Sequence, residues 1–180
     1  EEKISTIPVR EAIRRLESEG YVEIRANQGV FVVGFSSEKI RSIFHIKGVL
    51  EGYATRVAID YHTPEDVKNL YGLVEEMREC LKNKAFSQYS ELNKAFHLEI
   101  YKRIPQTELY DLICDLWKKW AITKTVFSRS NELIMESLEE HAEIVRMIKD
   151  KEYDAVEFYV RNHKFKAGEY MSRRLDAAAQ

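Results

Sequence analysis

Three histidines occupy positions where a packed helix would ordinarily place an apolar side chain. On residues 131–150, His141 falls at the centre of the stripe Ile134, Leu138, Ile144, Val145 and Ile148. On residues 152–175, His163 falls among Val156, Tyr159, Val160, Ala167 and Tyr170. On residues 85–103, His97 lies among Phe86, Tyr89, Phe96 and Ile100, with Asn93 one turn before it. The remaining two of the five histidines behave differently: His45 falls opposite its helix's apolar face and His62 sits near a helix end. A single core-facing imidazole is ordinarily a packing residue. Three on separate helices cost on the order of 1–3 kcal/mol each if left without partners, and one shared divalent ion offsets all three. Imidazole nitrogen suits zinc, nickel, copper, iron or manganese, and three such ligands leave positions open for water or another group.

Cations point the same way. Lys47 lies within the stripe Ile40, Ile43, Phe44, Leu50 and Ala54, with Glu51 one turn on. Lys124 flanks the stripe Ile113, Leu116, Trp120 and Phe127. Residue spacing leaves two readings of these lysines. Either Lys47 and Glu51 neutralise each other as a helix ion pair, or both lysines reach past the core to solvent.

The elements that must position these groups are helical. Between residues 36 and 175 the chain holds only four glycines and two prolines, and apolar residues recur at three and four. The expected helices are 37–61, 64–83, 85–103, 106–128, 131–150 and 152–175, joined by short connections into an antiparallel bundle. Thr63 is expected to cap the second of these, with Pro64 at its first position. The composition, 44% hydrophobic and 32% charged with a net charge of -2, is that of a globular chain. Two cysteines without CxxC spacing argue against a disulfide scaffold or thiolate zinc site and fit a reducing cytoplasm. No apolar run approaches the roughly 20 residues that span a bilayer, and no leader precedes the first helix, so no membrane role is expected.

The first 35 residues have another pattern. Val9, Ala12, Ile13 and Leu16 make one apolar stripe of a short helix ending at Gly20. Tyr21–Ile24 and Val30–Val33 are β-rich runs around the polar turn Arg25–Gly29, which predicts a hairpin. Helix and hairpin are too small to hold a core alone, so they either pack on the bundle or have partners upstream; the second is the expectation. Thr6, Arg10 and Arg14 share a stripe beside the apolar face, and Ser5 and Thr6 carry hydroxyls at the helix start, suited to a phosphate. An arginine one turn into a helix can reach a guanine edge. The segment is not basic overall, with five Lys+Arg against six Glu, so any nucleic-acid contact must be local.

Ser5-Thr6-Ile7-Pro8-Val9-Arg10-Glu11-Ala12-Ile13-Arg14-Arg15-Leu16-Glu17-Ser18-Glu19-Gly20-Tyr21-Val22, then Asn27-Gln28-Gly29-Val30-Phe31-Val32, resembles the winged helix-turn-helix of GntR-family bacterial transcription regulators. The resemblance implies that Ser5–Ser18 is the recognition helix with its lead-in. It makes Arg10 a base- or phosphate-contacting residue and Gly29 the wing glycine, with Arg14 and Gln28 as further DNA-facing candidates. Thr6 stands where the family usually has arginine. The chain begins at Glu1 inside what should be the preceding helix, so residues 1–35 are expected to be a partial DNA-binding domain.

Leu92-Asn93-Lys94-Ala95-Phe96-His97, Glu140-His141-Ala142-Glu143-Ile144 and Arg161-Asn162-His163 resemble the FCD ligand-binding domain of the FadR subgroup over about 36–175. Membership implies a divalent metal, zinc, nickel or manganese foremost, held by His97, His141, His163 and the residue at Asn93. It also implies a small carboxylate effector near Lys47, Glu51 and Lys124. Asn93 replaces an aspartate, and an amide supplies no charge. The reading is a mainly α, cytoplasmic, homodimeric regulator: residues 1–35 contact operator DNA and residues 36–180 bind metal and effector. Its rivals are a metal-dependent hydrolase and an interaction domain with a structural metal. No clear general base shares the histidine stripes; Glu51 is one candidate, and Glu140 and Glu143 flank His141 off its axis.

Overall fold

The computed structural model describes residues 6–18, 21–32, 36–119 and 131–178. Helix α1 runs Thr6–Ser18, and strands β1 (Val22–Arg25) and β2 (Gly29–Val32) pair antiparallel with Val22 opposite Val32 and Arg25 opposite Gly29. Between them Asn27 (φ 58) and Gly29 (φ 108) take the left-handed backbone that the tight reversal needs. The Glu17 carboxylate accepts the Ile24 amide at 3.2 Å, tying α1 to β1. No residue of α1 is buried. Its stripe is displayed rather than packed: Val9 and Leu16 are exposed and Ile13 half-buried. The expected end of this helix, Gly20, lies outside the described residues.

Six longer helices follow among the described residues: α2 Ser37–Ala58 with a 3-10 turn Ile59–Tyr61, α3 Pro64–Lys82, α4 Phe86–Tyr101, α5 Thr107–Lys119, α6 Asn131–Lys149 and α7 Tyr153–Ala178. The expected boundaries hold closely, except that the stretch expected to complete 106–128 falls partly on residues 120–130, outside the described ones. Local chemistry explains the starts. Ser36 accepts the Lys39 amide at 3.1 Å to open α2. Thr63 and Asp66 form a reciprocal capping box at α3, with Pro64 in the first turn. Arg103, just beyond α4, closes on Asp66 at 2.7 Å and so ties the two helices together.

The core is one cluster of Ile40, Phe44, Leu70, Met77, Tyr89, Phe96, Ile100, Ile113, Ile134, Ile144 and Val160 with their neighbours. Helices α2 and α7 make the most extensive contact in the bundle. Their approach depends on missing side chains: a Cβ on Gly48 would lie 2.6 Å from the Phe165 ring, and one on Gly168 would lie 2.5 Å from Phe44 Cβ. Tight seating of α7 on α2 brings the middle of each helix, where Lys47, Glu51, His163 and Lys164 lie, to one place.

Candidate metal and anion site

The mid-points of α4, α6 and α7 converge, and each contributes a histidine. His97 and His141 are fully buried and His163 nearly so. One nitrogen from each lies within 4.8 Å of the others, and Nε2 of His97 faces Nε2 of His141 at 3.2 Å. Burial lowers all three imidazoles below their ordinary range, His97 and His141 strongly; the nearby Lys164 charge adds to it, and at His163 only Glu140 and Glu51 oppose the shift. The rings are therefore neutral at pH 7, each with one lone pair to give. Two imidazole nitrogens bound to one ion through bonds of ~2.0–2.1 Å stand about 3.0–3.4 Å apart. The His97–His141 spacing falls in that interval, so this pair of donors fits a divalent metal, with His163 within 4.8 Å of both.

A ligating imidazole works best when its other nitrogen is held. His163 Nδ1 donates to Glu140 Oε2 at 2.5 Å, and Lys166 donates to the same carboxylate's Oε1 at 2.7 Å. Burial pushes Glu140 upward, but these two bonds prevail and hold it at about 2. His97 Nδ1 lies 3.3 Å from the Tyr101 hydroxyl, which in turn donates to Glu51 Oε2 at 2.8 Å. Nδ1 of His141 has no hydrogen-bond partner among the described residues.

Beside the imidazoles lies a compact charged group. Glu51 has no exposed surface, and Lys47 and Lys164 are 4% and 3% exposed. Lys164 Nζ is 3.0 Å from Glu51 Oε2 and Lys47 Nζ is 3.5 Å from Glu51 Oε1. The expected Lys47–Glu51 helix pair is therefore present, and the Lys47 stem does not reach past the core to solvent. Lys47 Nζ also sits 3.4 Å from the Trp117 ring centroid, and Lys164 Nζ 4.8 Å from it. Burial lowers Lys47 to about 7, only partly opposed by attraction to Glu51. Burial alone would raise Glu51, but Lys164, Lys47 and Tyr101 outweigh it and keep the carboxylate ionised. Two ammoniums around one carboxylate form an anion-seeking centre in low dielectric.

Of the other expected site residues, Asn93 is half-buried on α4, one turn before His97. Lys124 and Ser5 lie outside the described residues. Thr6, Arg10 and Arg14 are exposed on α1, where Arg14 lies 3.9 Å from Glu11. Gln28 and Gly29 are exposed at the hairpin tip. Arg25 leans back over Phe31 at 4.7 Å.

Glu140, off the His141 axis, reaches across to α7 and orients His163 instead. Glu143, its companion, is taken up by Arg146 at 2.7 Å. Lys164, Tyr101 and Trp117 were not anticipated. Each left a signal: Lys164 is one turn after Val160 on the buried stripe, Tyr101 one turn after His97, and Trp117 one turn after Ile113.

Residues 42–164 match the FCD domain family, and residues 1–32 match the bacterial regulatory proteins, gntR family. The chain is 24% identical to the Nta operon transcriptional regulator of Aminobacter aminovorans over 161 residues, 89% of this chain and 75% of that protein. It is 30% identical to the HTH-type transcriptional regulator McbR of Escherichia coli (strain K12) over 114 residues, 63% of this chain and 52% of that protein. Its fold is shared with the solved structure of E. coli McbR/YncC at a TM-score of 0.80 and 22% identity, covering 94% of this chain and 86% of that one. A structure of Lar, described as controlling the Listeria monocytogenes agr system, gives 0.74 and 15%, covering 96% and 81%. These are families of transcriptional regulators, not of enzymes, and no described helix is long and apolar enough to cross a membrane. A helix and hairpin followed by a helical bundle accord with these two matches, and the chain belongs to the FCD-domain regulators of the bacterial gntR family.

Proposed function

We propose that residues 1–35 read operator DNA and that residues 36–180 sense a small organic acid, with a divalent metal anchoring it. His97, His141 and His163 hold the ion, Asn93 lends a neutral oxygen or orients a water, and Lys47 faces the acid, with Lys124 as a further candidate. Bound there, the ion supplies Lewis-acid attraction for a carboxylate. The observation carrying this reading is the convergence of three neutral, buried imidazoles beside two buried ammoniums that share a single carboxylate. A relative is named the gluconate operon transcriptional repressor of Bacillus subtilis, which favours sugar acids among the ligands to try. Glu51 already compensates one ammonium, so the acid must compete with it for Lys47.

In a cytoplasmic homodimer, two copies of α1 address successive major grooves, with Thr6, Arg10, Arg14 and, upstream of them, Ser5 on the duplex, and Gln28 and Gly29 at the wing. Acid binding changes operator affinity insofar as the acid binds one arrangement of the dimer better than the other.

The test is elemental analysis of protein dialysed against zinc, nickel and manganese, then calorimetry with a panel of sugar acids and dicarboxylates. Stoichiometric metal, lost in the His97→Ala/His141→Ala variant, and saturable acid binding without turnover are the expected results. Metal content unchanged by the double substitution refutes the site, and equal binding to operator and random duplex at fixed salt refutes the DNA reading.

A further inference from the structure

The two outer supports of the metal ligands are unequal. Glu140 holds His163 directly. His97 is held at one remove, through the Tyr101 hydroxyl to Glu51. Tyr101 is fully buried and its one hydroxyl proton is committed to Glu51. A 2.8 Å contact between a phenol oxygen and a carboxylate oxygen needs a proton between them, and the phenol supplies it. Its oxygen then has a lone pair free for His97 Nδ1–H, which leaves Nε2 of His97 unprotonated and aimed at His141. Glu51 is at the same time the only carboxylate paired with Lys47 and Lys164 among the described residues. One side chain thus touches both halves of the site.

We propose that Glu51 and Tyr101 form a positioning relay that sets the tautomer of His97, and that through this relay the ammonium pair of Lys47 and Lys164 tunes the metal. This rests on the metal reading above. When an anion draws Lys47 or Lys164 away, Glu51 carries more unshared negative charge, accepts more strongly from Tyr101, and makes the phenol oxygen a better acceptor for His97. The imidazole becomes a stronger donor at Nε2. Metal and acid then tighten each other's binding by more than their direct attraction supplies, as linkage requires of any shared support.

Co2+ is a suitable probe because its visible d–d bands report ligand strength and geometry. Tyr101→Phe keeps the ring and removes only the hydroxyl. Relative to wild type it should weaken Co2+ binding about 10-fold or more, within the range found for outer-sphere supports of metal ligands, and shift the d–d bands. Lys164→Met, which leaves Glu51 with Lys47, should tighten Co2+ in the wild-type background. In the Tyr101→Phe background it should tighten it less, and that difference in a double-mutant cycle isolates the relay from direct charge repulsion. Lys47→Met provides a second cycle should Lys164→Met fold poorly.

Unchanged Co2+ affinity and spectrum in Tyr101→Phe, or additivity within about twofold in both cycles, overturns the relay and leaves the metal site standing. Absence of Co2+ binding by the wild-type protein overturns both.

Discussion

Replacing Glu51 by Gln keeps the volume but removes the charge that two buried lysines share. Glu51 is fully buried and lies 3.0 Å from Lys164 and 3.5 Å from Lys47, themselves 3% and 4% exposed. Without the carboxylate, two like charges remain in low dielectric against one tryptophan ring. Removing one partner from a buried ion pair costs about 3–5 kcal/mol. The upper end is tempered because Lys47, already lowered to about 7, can shed its proton. For a chain of this length each kcal/mol moves the melting temperature by roughly 2–4 °C, so with about 3–4 kcal/mol lost Glu51→Gln should melt about 6–16 °C below wild type at pH 7. Raising the pH to 9 lets the stranded lysines deprotonate in the folded variant, so the gap should narrow. Thermal unfolding monitored by circular dichroism at both pH values is the assay. A variant as stable as wild type at pH 7, or a deficit that widens at pH 9, refutes the claim that the charged cluster is compensated by Glu51.

Other parts of the molecule give further expected outcomes. Gly168→Ala should destabilise by ~1–3 kcal/mol through its 2.5 Å approach to Phe44. Gly72→Ala, with nothing within 4 Å of the added carbon, should stabilise by ~0.4–1 kcal/mol; denaturant midpoints of the pair check both. Asp66 is held down to about 2, first by the Thr63 amide and then, against the effect of burial, by Arg103 and the Thr63 hydroxyl. A carboxylate depressed in the folded state contributes stability that is complete above its unfolded value near 4 and disappears as pH falls through about 2. Arg103 is half-exposed, so screening leaves about 1–2 kcal/mol. Acid titration should show wild type and Asp66→Asn converging below pH 3, and parallel curves would contradict it. Arg10→Ala should weaken operator binding in the full regulator; if Arg10 contacts phosphate, the salt slope of log K should also fall by about one.

The periodicity of apolar residues settled most of the helix boundaries, because a side chain's face on a helix depends only on its place in the chain. Thr63-Pro64 and the Asn27-Gln28-Gly29 turn were legible for the same reason: caps and tight turns are made by residues that are neighbours in sequence. So were the three histidines, which betray themselves by standing inside apolar stripes. Their spacing along 66 residues could not say which nitrogen faces which, nor that Glu140 belongs to His163 rather than to its own neighbour His141. Nor could it reveal that Lys164, Lys47 and Tyr101, from three helices, meet on one carboxylate. The Lys164–Glu51 pairing depends on how closely α7 seats on α2, where Gly48 and Gly168 lie against Phe165 and Phe44, and the others on how α4 and α6 pack beside them. Contacts across helices are made by packing, and packing is a property of the whole assembled bundle.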